Sequence, residues 1–467
     1  MRKLLSAHKV FCIGIGGIGV SGLAELMHQN GIIVVGSDPA KNAQTKHLQS
    51  LGITVFPFHD AKNIEGAELV VYSSAVKADN PERIAAVANQ IPVITRGQLL
   101  AEVMKSYCGI NVAGTHGKTT TSGIIAWVFE HASLDPTFMI GGVLRDRHSP
   151  MQLGKSKFFI AESDESDASF LWLSPTVGVI TNIDADHMET YGHNFENLKR
   201  SFLEFANHIA ADGFAVVCID DPVIRELSSQ MTCRVITYGA NWDANYQLKN
   251  FRQAGLQSEF TAVMPSGESV EIQLNLAGKH NALNALAAIV VAREYGLNDA
   301  AVQNALHTFP GMGRRFQPHG SMPVSGGTAL LFDDYGHHPT ELKVTLSAAK
   351  SAWPNRRVVL VFQPHRYTRT RDLLPDFVDV LKTADQLVLT EVYAACEQKI
   401  PGADGQALFE AIKKAGAQHA QFVPQLSELP AVLQKILKPN DVVILQGAGN
   451  IVTMVDQLVS VVRARDP

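Results

Sequence analysis

Residues 110–121 read INVAGTHGKTTT: a short β-branched run, a glycine, then a second glycine, a lysine and three threonines, leading into an apolar helical stretch through Trp127. A glycine-rich loop between a strand and a helix turns backbone N–H groups and the positive helix end toward one point, where a phosphate is the natural guest. In such a loop Lys118 would reach the terminal phosphates, and the Thr119 hydroxyl would complete a Mg²⁺ shell. Only Thr115 and His116 separate Gly114 from Gly117, fewer residues than the strict nucleotide pattern demands. A turn with an exposed lysine would satisfy Gly-Lys-Thr by itself. The strand before, the helix after and the run Thr119-Thr120-Thr121 favour a nucleotide.

The neighbouring strands repeat the pattern. Residues 158–161 (FFIA) run into Glu162-Ser163-Asp164-Glu165-Ser166-Asp167, and residues 177–181 (VGVIT) into Asn182-Ile183-Asp184-Ala185-Asp186-His187. In an open α/β sheet ligands collect beyond the carboxyl ends of the strands, so these clusters should meet the lysine loop. Carboxylates beside a polyphosphate make sense only around cations, and Mg²⁺ takes oxygen ligands and bridges phosphate oxygens. A solvated acidic loop is the commoner fate of a run like 162–167, and a structural role the commoner fate of a lone histidine such as His187. Their place beside the lysine loop favours metal binding for both.

Toward the N-terminus, residues 9–14, 32–36 and 69–73 are buried strand runs alternating with helices, a doubly wound unit. The first ends in Gly14-Ile15-Gly16-Gly17-Ile18-Gly19, with Asp38 following the second. This dinucleotide fingerprint suggests NAD, with Asp38 on a ribose. What such a loop selects, however, is a pyrophosphate, so UDP meets it equally, and nothing downstream supplies a hydride-transfer partner. Ser73, Ser74 and Arg96 fall at later strand ends or loops on the same side, as ligand contacts, turn residues or, for Arg96, a surface charge.

A helix gives way to a new strand near residue 104. Residues 234–276 read as antiparallel strands and turns, a long Ala/Leu-rich helix follows Lys279, and Pro310, Gly311 and Gly313 break the pattern. A third α/β unit starts near 317. The expected domains are 1–103, 104–316 and 317–467, in keeping with 467 residues at roughly 150 per domain. Hydrophobic residues make up 46% and charged ones 18%, enough to bury sizeable cores. Lys plus Arg number 40 against 45 Asp plus Glu, a net charge of −5, so no basic excess points to nucleic acid or an anionic membrane. Five dispersed cysteines without a Cys-x-x-Cys pair fit a reducing compartment and offer no zinc spacing. With no signal-peptide h-region or long apolar run, a cytoplasmic protein is expected.

In order along the chain stand GTHGKTTT, ESDESDASF, TNIDADH, GKHNALNALAA, GMGRRF, DDYGHHPTE and FQPHRYTRTRDL. With these motifs the chain resembles the Mur ligase family over nearly its whole length. GIGGIGVSG, ESDESDASF and PHRYTRT favour the branch that joins L-alanine to the lactyl carboxylate of UDP-N-acetylmuramate, over the branch that attaches a ready-made murein tripeptide. The resemblance implies an α/β chain of three domains: a Rossmann-like UDP-sugar domain, a central P-loop ATPase-type sheet, and a Rossmann-like domain that receives the amino acid. It implies ATP and Mg²⁺ as cofactors, no nucleic acid or membrane partner, and a monomer or weak homodimer.

By the same resemblance Gly114 to Thr120, with Lys118, hold the ATP phosphates, and Thr119, Glu162 and His187 hold metal, with Glu165 a rival carboxylate. His280, Asn281 and Asn284 contact adenine and ribose, Arg315 the γ-phosphate, and Asp333 the nucleotide. Gly14, Gly16, Gly17, Gly19, Asp38, Ser73, Ser74 and Arg96 take the UDP-sugar. Tyr335, His337, Arg366 and Arg369 meet alanine and the lactyl carboxylate, for which a planar guanidinium is suited; a solvated basic face is the alternative for Arg366, Arg369 and Arg371. His337 would orient or deprotonate the amine. Val20 and Gly97 replace the family's usual methionine and alanine, and no lysine between Lys157 and Lys199 offers a carbamylation site. Outside the family, the rivals are an NAD-dependent dehydrogenase built on GIGGIG and a nucleotide-driven switch.

Overall fold

The strand Lys9–Ile13 buries both its faces: Val10 and Cys12 turn into one core, Phe11 and Ile13 into another. Burial on alternate sides is what a parallel sheet covered by helices on both faces requires. The computed structural model describes residues 6–73, 75–147 and 149–463, with side chains to 459. Ser74 lies outside the described residues.

Three sheets are present among the described residues. The first has five parallel strands in the order Thr54–Phe56, Ile33–Ser37, Lys9–Ile13, Leu69–Tyr72, Val93–Thr95. The chain winds outward from Lys9–Ile13 and then returns to its other side, so a crevice opens at the carboxyl ends of Lys9–Ile13 and Leu69–Tyr72.

The second sheet has ten strands: Ser269–Leu274, Gln257–Val263, Tyr246–Ala254, Arg234–Gly239, Phe214–Cys218, Val177–Ile180, Cys108–Ala113, Phe158–Glu162, Thr137–Met139, Met151–Gln152. Cys108–Ala113 lies between Val177–Ile180 and Phe158–Glu162, parallel to both, so the three polar strand ends emerge side by side. The expectation of antiparallel strands over 234–276 fails at its start: Arg234–Gly239 runs parallel to Phe214–Cys218 and to Tyr246–Ala254. The short helix Pro222–Ser228, capped by Asp221, makes the crossover that a parallel neighbour needs.

The third sheet has six strands, ordered Gln317–Val324, Gly327–Asp334, Val442–Gln446, Val358–Phe362, Gln386–Thr390, Gln421–Val423. Gln317–Val324 pairs antiparallel at the edge and the other strands pair parallel. Along Val358–Phe362, Val358, Leu360 and Phe362 enter one core and Val359 and Val361 the other.

Two compact units result. One comprises residues up to Lys249, Thr261–Ile272 and Leu283–Pro310; the other comprises Asn250–Phe260, Gln273–Ala282 and residues from Gly311 on. Within the first, one apolar cluster joins Val10, Leu23 and Met27 of the first sheet's layer to Phe159, Phe202 and Phe205 of the second's. That shared core brings the glycine loop of the first sheet near the acidic strand ends of the second.

Candidate active site

Gly117 caps the helix Lys118–His131 with φ +84, offers no side-chain cap, and is followed by no acidic residue in the first turn. The positive helix end is therefore left for an external anion. A Cβ on Gly117 would come 2.9 Å from Asn284 Oδ1, so glycine lets the loop close onto the helix Lys279–Glu294. Lys118 bends back over this turn: its Nζ donates to Gly114 O (2.6 Å) and Thr115 O (3.1 Å) and pairs with Glu165 (2.7 Å to Oε2). Burial opposes the charge on both partners. Glu165, Glu162 and Asp164 nevertheless hold the ammonium above its ordinary range. Burial pushes Glu165 up to about 7 against the pull of Lys118. Thr120 is buried in the same helix turn.

The two rival carboxylates have different partners. Thr119 Oγ1 donates to Glu162 Oε2 at 2.9 Å, and Gly141 N–H donates to the same oxygen at 2.8 Å. Glu165 belongs to Lys118 instead. His187 holds φ +53 and turns its Nε2 toward Asp186 Oδ2 at 3.5 Å. His116 Nε2 lies 3.0 Å from Asp184 Oδ2. Asp164 sits below the usual carboxylate range, because Lys118, a Ser166 hydrogen bond and Arg96 together outweigh its burial.

At the first sheet, Gly14 N–H (2.8 Å) and Ile15 N–H (3.1 Å) donate to Ser37 O, and Gly16 N–H donates to Asp38 Oδ2 at 2.9 Å. Asp38 Oδ1 accepts from Ala40 N–H at 2.8 Å, so one oxygen of this carboxylate braces the glycine turn while the other holds its own loop. Gly17 begins the helix Ile18–Gln29, again uncapped and without an acidic first turn. Arg96 opens the helix Arg96–Met104 and packs along Gly19, its guanidinium 3.9 Å from Asp164. Gly17, Gly19, Ser73, Arg96, Gly141, Glu162 and Asp164 line one cavity of about 270 Å³. Arg96 is thus a cavity residue rather than a surface charge.

Sequence reasoning missed three features here. Gly141 follows the short strand Thr137–Met139. Glu82, fully buried, accepts from Ser37 Oγ (2.6 Å) and Asn63 Nδ2 (2.8 Å) and lies 2.8 Å from His59 Nδ1, tying the end of Ile33–Ser37 to two other loops. Asn182 clasps the lysine loop. These contacts join residues far apart in the chain, so no local spacing announces them.

In the second unit, Arg315 lies 5.2 Å over the Tyr335 ring and its Nη1 is 3.7 Å from Glu341 Oε1. Tyr335 meets His337 edge-on at 5.5 Å, and His337 lies 5.6 Å from His365, whose carbonyl accepts from Arg369 Nη1 at 3.3 Å. Arg315, Tyr335, His337 and Arg369 therefore form one connected group. Arg369 is buried, whereas Arg371 is exposed and donates to Asp372, so the solvated-face alternative holds for Arg371 alone. Arg366 is half-buried at φ +72 with its N–H on Tyr393 O. Asp333 is buried, with His319 Nε2 2.7 Å from Oδ1. Burial pushes its neighbour Asp334 up to about 6. Asn281 Nδ2 donates to Ala277 O at 2.7 Å, and burial lowers His280 to about 4.

Two uncapped glycine turns, one bordering the cavity and the other linked to it through Glu162, mark an α/β enzyme that handles phosphorylated ligands. Three family models cover most of the chain: Mur ligase family, catalytic domain over residues 9–108; Mur ligase middle domain over 112–292; and Mur ligase, glutamate ligase domain over 314–449. The chain is 50% identical over 451 residues to a UDP-N-acetylmuramate–L-alanine ligase of Coxiella burnetii, covering 96% of this chain and 97% of that one. A UDP-N-acetylmuramate-alanine ligase of Thermotoga maritima superimposes with a TM-score of 0.82 at 30% identity, over 98% of this chain and 100% of that one. A murein peptide ligase of Psychrobacter arcticus shares the fold, with a TM-score of 0.70 at 22% identity over 97% and 98% of the two chains. The chain belongs to the Mur ligase family, whose members are ATP-dependent ligases. No helix among the described residues is long and apolar enough to cross a membrane.

Proposed function

We propose that the protein joins L-alanine to the lactyl carboxylate of UDP-N-acetylmuramate, driven by ATP, in the synthesis of peptidoglycan precursors. The observation that carries this is the full-length likeness to UDP-N-acetylmuramate–L-alanine ligases at 50% identity. We assign the UDP-sugar to residues 1–103, ATP to 104–316 and the amino acid to 317–467. Five free cysteines accord with a cytoplasmic setting, and a monomer or weak homodimer is expected.

A carboxylate resists attack by an amine until one oxygen becomes a good leaving group. Transfer of the γ-phosphoryl group to the lactyl carboxylate gives an acyl phosphate and ADP. The alanine amine adds to the acyl carbon, the tetrahedral adduct loses its proton and expels phosphate, and an amide remains. Lys118 would exchange Glu165 for the terminal phosphates, with the helix end behind it, and Arg315 would meet the γ-phosphate. His280, Asn281, Asn284 and Asp333 would hold the rest of the nucleotide. Arg96, Ser73 and the turn at Gly14, Gly16, Gly17 and Gly19 would hold the UDP-sugar in the cavity. Asp38 would shape that turn rather than take a ribose. Tyr335, Arg366 and Arg369 would hold alanine and the carboxylate, and His337 would orient the amine.

Thr119 and Glu162 present hydroxyl and carboxylate oxygens beside the phosphate loop, which fits Mg²⁺, a cation that favours oxygen ligands. Of the two glutamates, Glu162 would be the metal carboxylate, since Glu165 is taken by Lys118, with His187 as the further ligand. Bound there, Mg²⁺ would neutralise phosphate charge.

Isotopically labelled oxygen in the lactyl carboxylate tests the reaction. It should appear in released phosphate; phosphate without label would contradict the acyl-phosphate route.

A further inference from the structure

The segment following Val177–Ile180 holds the phosphate loop by its backbone. Asn182 Oδ1 accepts from His116 N–H at 2.8 Å, and Asn182 Nδ2 donates to the carbonyl of the same residue at 2.9 Å. Thr181 Oγ1 donates to that carbonyl at 2.6 Å, and Thr115 N–H donates to the Asn182 carbonyl at 3.0 Å. Asp184 N–H donates to Thr115 Oγ1 at 2.9 Å. Loop residues ordinarily satisfy their main-chain groups singly, with water or a neighbour. Here one planar amide holds both the N–H and the C=O of His116, so the residue cannot reorient while Asn182 stays in place.

We infer that Asn182 is a positioning residue for the nucleotide. Its carboxamide fixes His116, keeps that N–H out of the phosphate-binding set, and fixes the direction of the turn at Gly117 from which Lys118 and the following amides project. Asparagine alone among small side chains presents an acceptor and a donor at this separation. Alanine removes both. Ionised aspartate keeps the bond to the N–H but sets a second acceptor against the His116 carbonyl, whereas protonated aspartate can donate to it.

This rests on the assignment of residues 114–119 to ATP, so Lys118→Ala serves as reference. Calorimetric titration with a non-hydrolysable ATP analogue and, separately, with UDP-N-acetylmuramate compares the wild type, Asn182→Ala, Asn182→Asp and Lys118→Ala, with thermal unfolding measured alongside. In Asn182→Ala the analogue should bind roughly ten- to a hundredfold more weakly, as for the loss of two hydrogen bonds, with UDP-sugar affinity unchanged. In Asn182→Asp analogue affinity should recover relative to wild type as pH falls toward the carboxyl range, while Asn182→Ala shows no such recovery.

Unchanged analogue affinity in Asn182→Ala, alongside its loss in Lys118→Ala, overturns the inference. Unchanged affinity in Lys118→Ala overturns the loop's assignment instead. Equal weakening of both ligands with a lowered Tm makes Asn182 a structural residue and also overturns it. If Asn182→Ala does not fold, Asn182→Asp decides: affinity that does not recover at low pH refutes the positioning role.

Discussion

Gly141→Ala should remove most of the activity and lower the stability of the fold. The Gly141 N–H donates to Glu162 Oε2 at 2.8 Å, and Thr119 Oγ1 donates to the same oxygen at 2.9 Å. A Cβ on Gly141 would lie 2.9 Å from Glu162 Cδ, closer than such atoms come in real structures. Gly141 is exposed and is not among the residues with positive φ, so its backbone accepts alanine without strain. What yields is the carboxylate, the far end of a flexible side chain. Displaced, it gives up two hydrogen bonds, each about 1.5–3 kcal/mol for an ionised acceptor. Rehydration returns part of this, leaving about 2–3 kcal/mol. A displacement of that size at the metal corresponds to roughly 30- to 150-fold in Mg²⁺-supported kcat/KM, and the same lost bonds lower the stability of the folded protein by up to about 2–3 kcal/mol. Steady-state rates at varied Mg²⁺, with thermal unfolding alongside, measure both. A wild-type Mg²⁺ dependence despite a lowered Tm would show that Glu162 does not work at the metal.

Three further outcomes are expected. Glu165, raised from 4.5 to about 7, binds its proton more tightly in the folded state than in the unfolded one. Its contribution to stability is therefore fully present below pH 4.5 and lost as pH rises toward about 7, at up to about 1.4 kcal/mol per unit. Glu165→Gln should flatten this part of the stability–pH curve of the nucleotide-free protein, and an unaltered curve would remove Glu165 as its source. Arg96→Ala should raise KM for UDP-N-acetylmuramate about tenfold or more with KM for ATP unchanged; equal rises would deny Arg96 its place in the sugar site. Arg369→Ala should impair use of alanine or of the sugar carboxylate, whereas Arg371→Ala should change kinetics by no more than about twofold. Steady-state kinetics with each substrate varied distinguishes the two, and identical effects would restore the solvated-face alternative.

The glycine turns were legible because their backbone geometry demands one residue type, which shows as a letter in the sequence. The long central strands were legible too, since burial on both faces leaves near-continuous apolar runs. Strands of three residues such as Thr54–Phe56 and Gln421–Val423 carry no measurable period. Arg234–Gly239 misled because its half-exposed alternation imitates an antiparallel edge, whereas its pairing is set by the crossover helix before it. Glu162 and Glu165 stand three apart in one acidic run, and only the path of the loop gives the first to Thr119 and the second to Lys118. Arg369 and Arg371 differ likewise by the face of the short helix Tyr367–Asp372 on which each falls. Asn182 and Glu82 act through bonds to residues tens of positions away, which no spacing rule encodes.

The most direct measurement is product mass together with ADP release, with ATP, Mg²⁺ and UDP-N-acetylmuramate present, across a panel of amino acids and the murein tripeptide. The account predicts ADP release coupled to a product equal in mass to the sugar nucleotide plus one alanine residue. ADP release without that product, or a product formed only with the tripeptide, would contradict it.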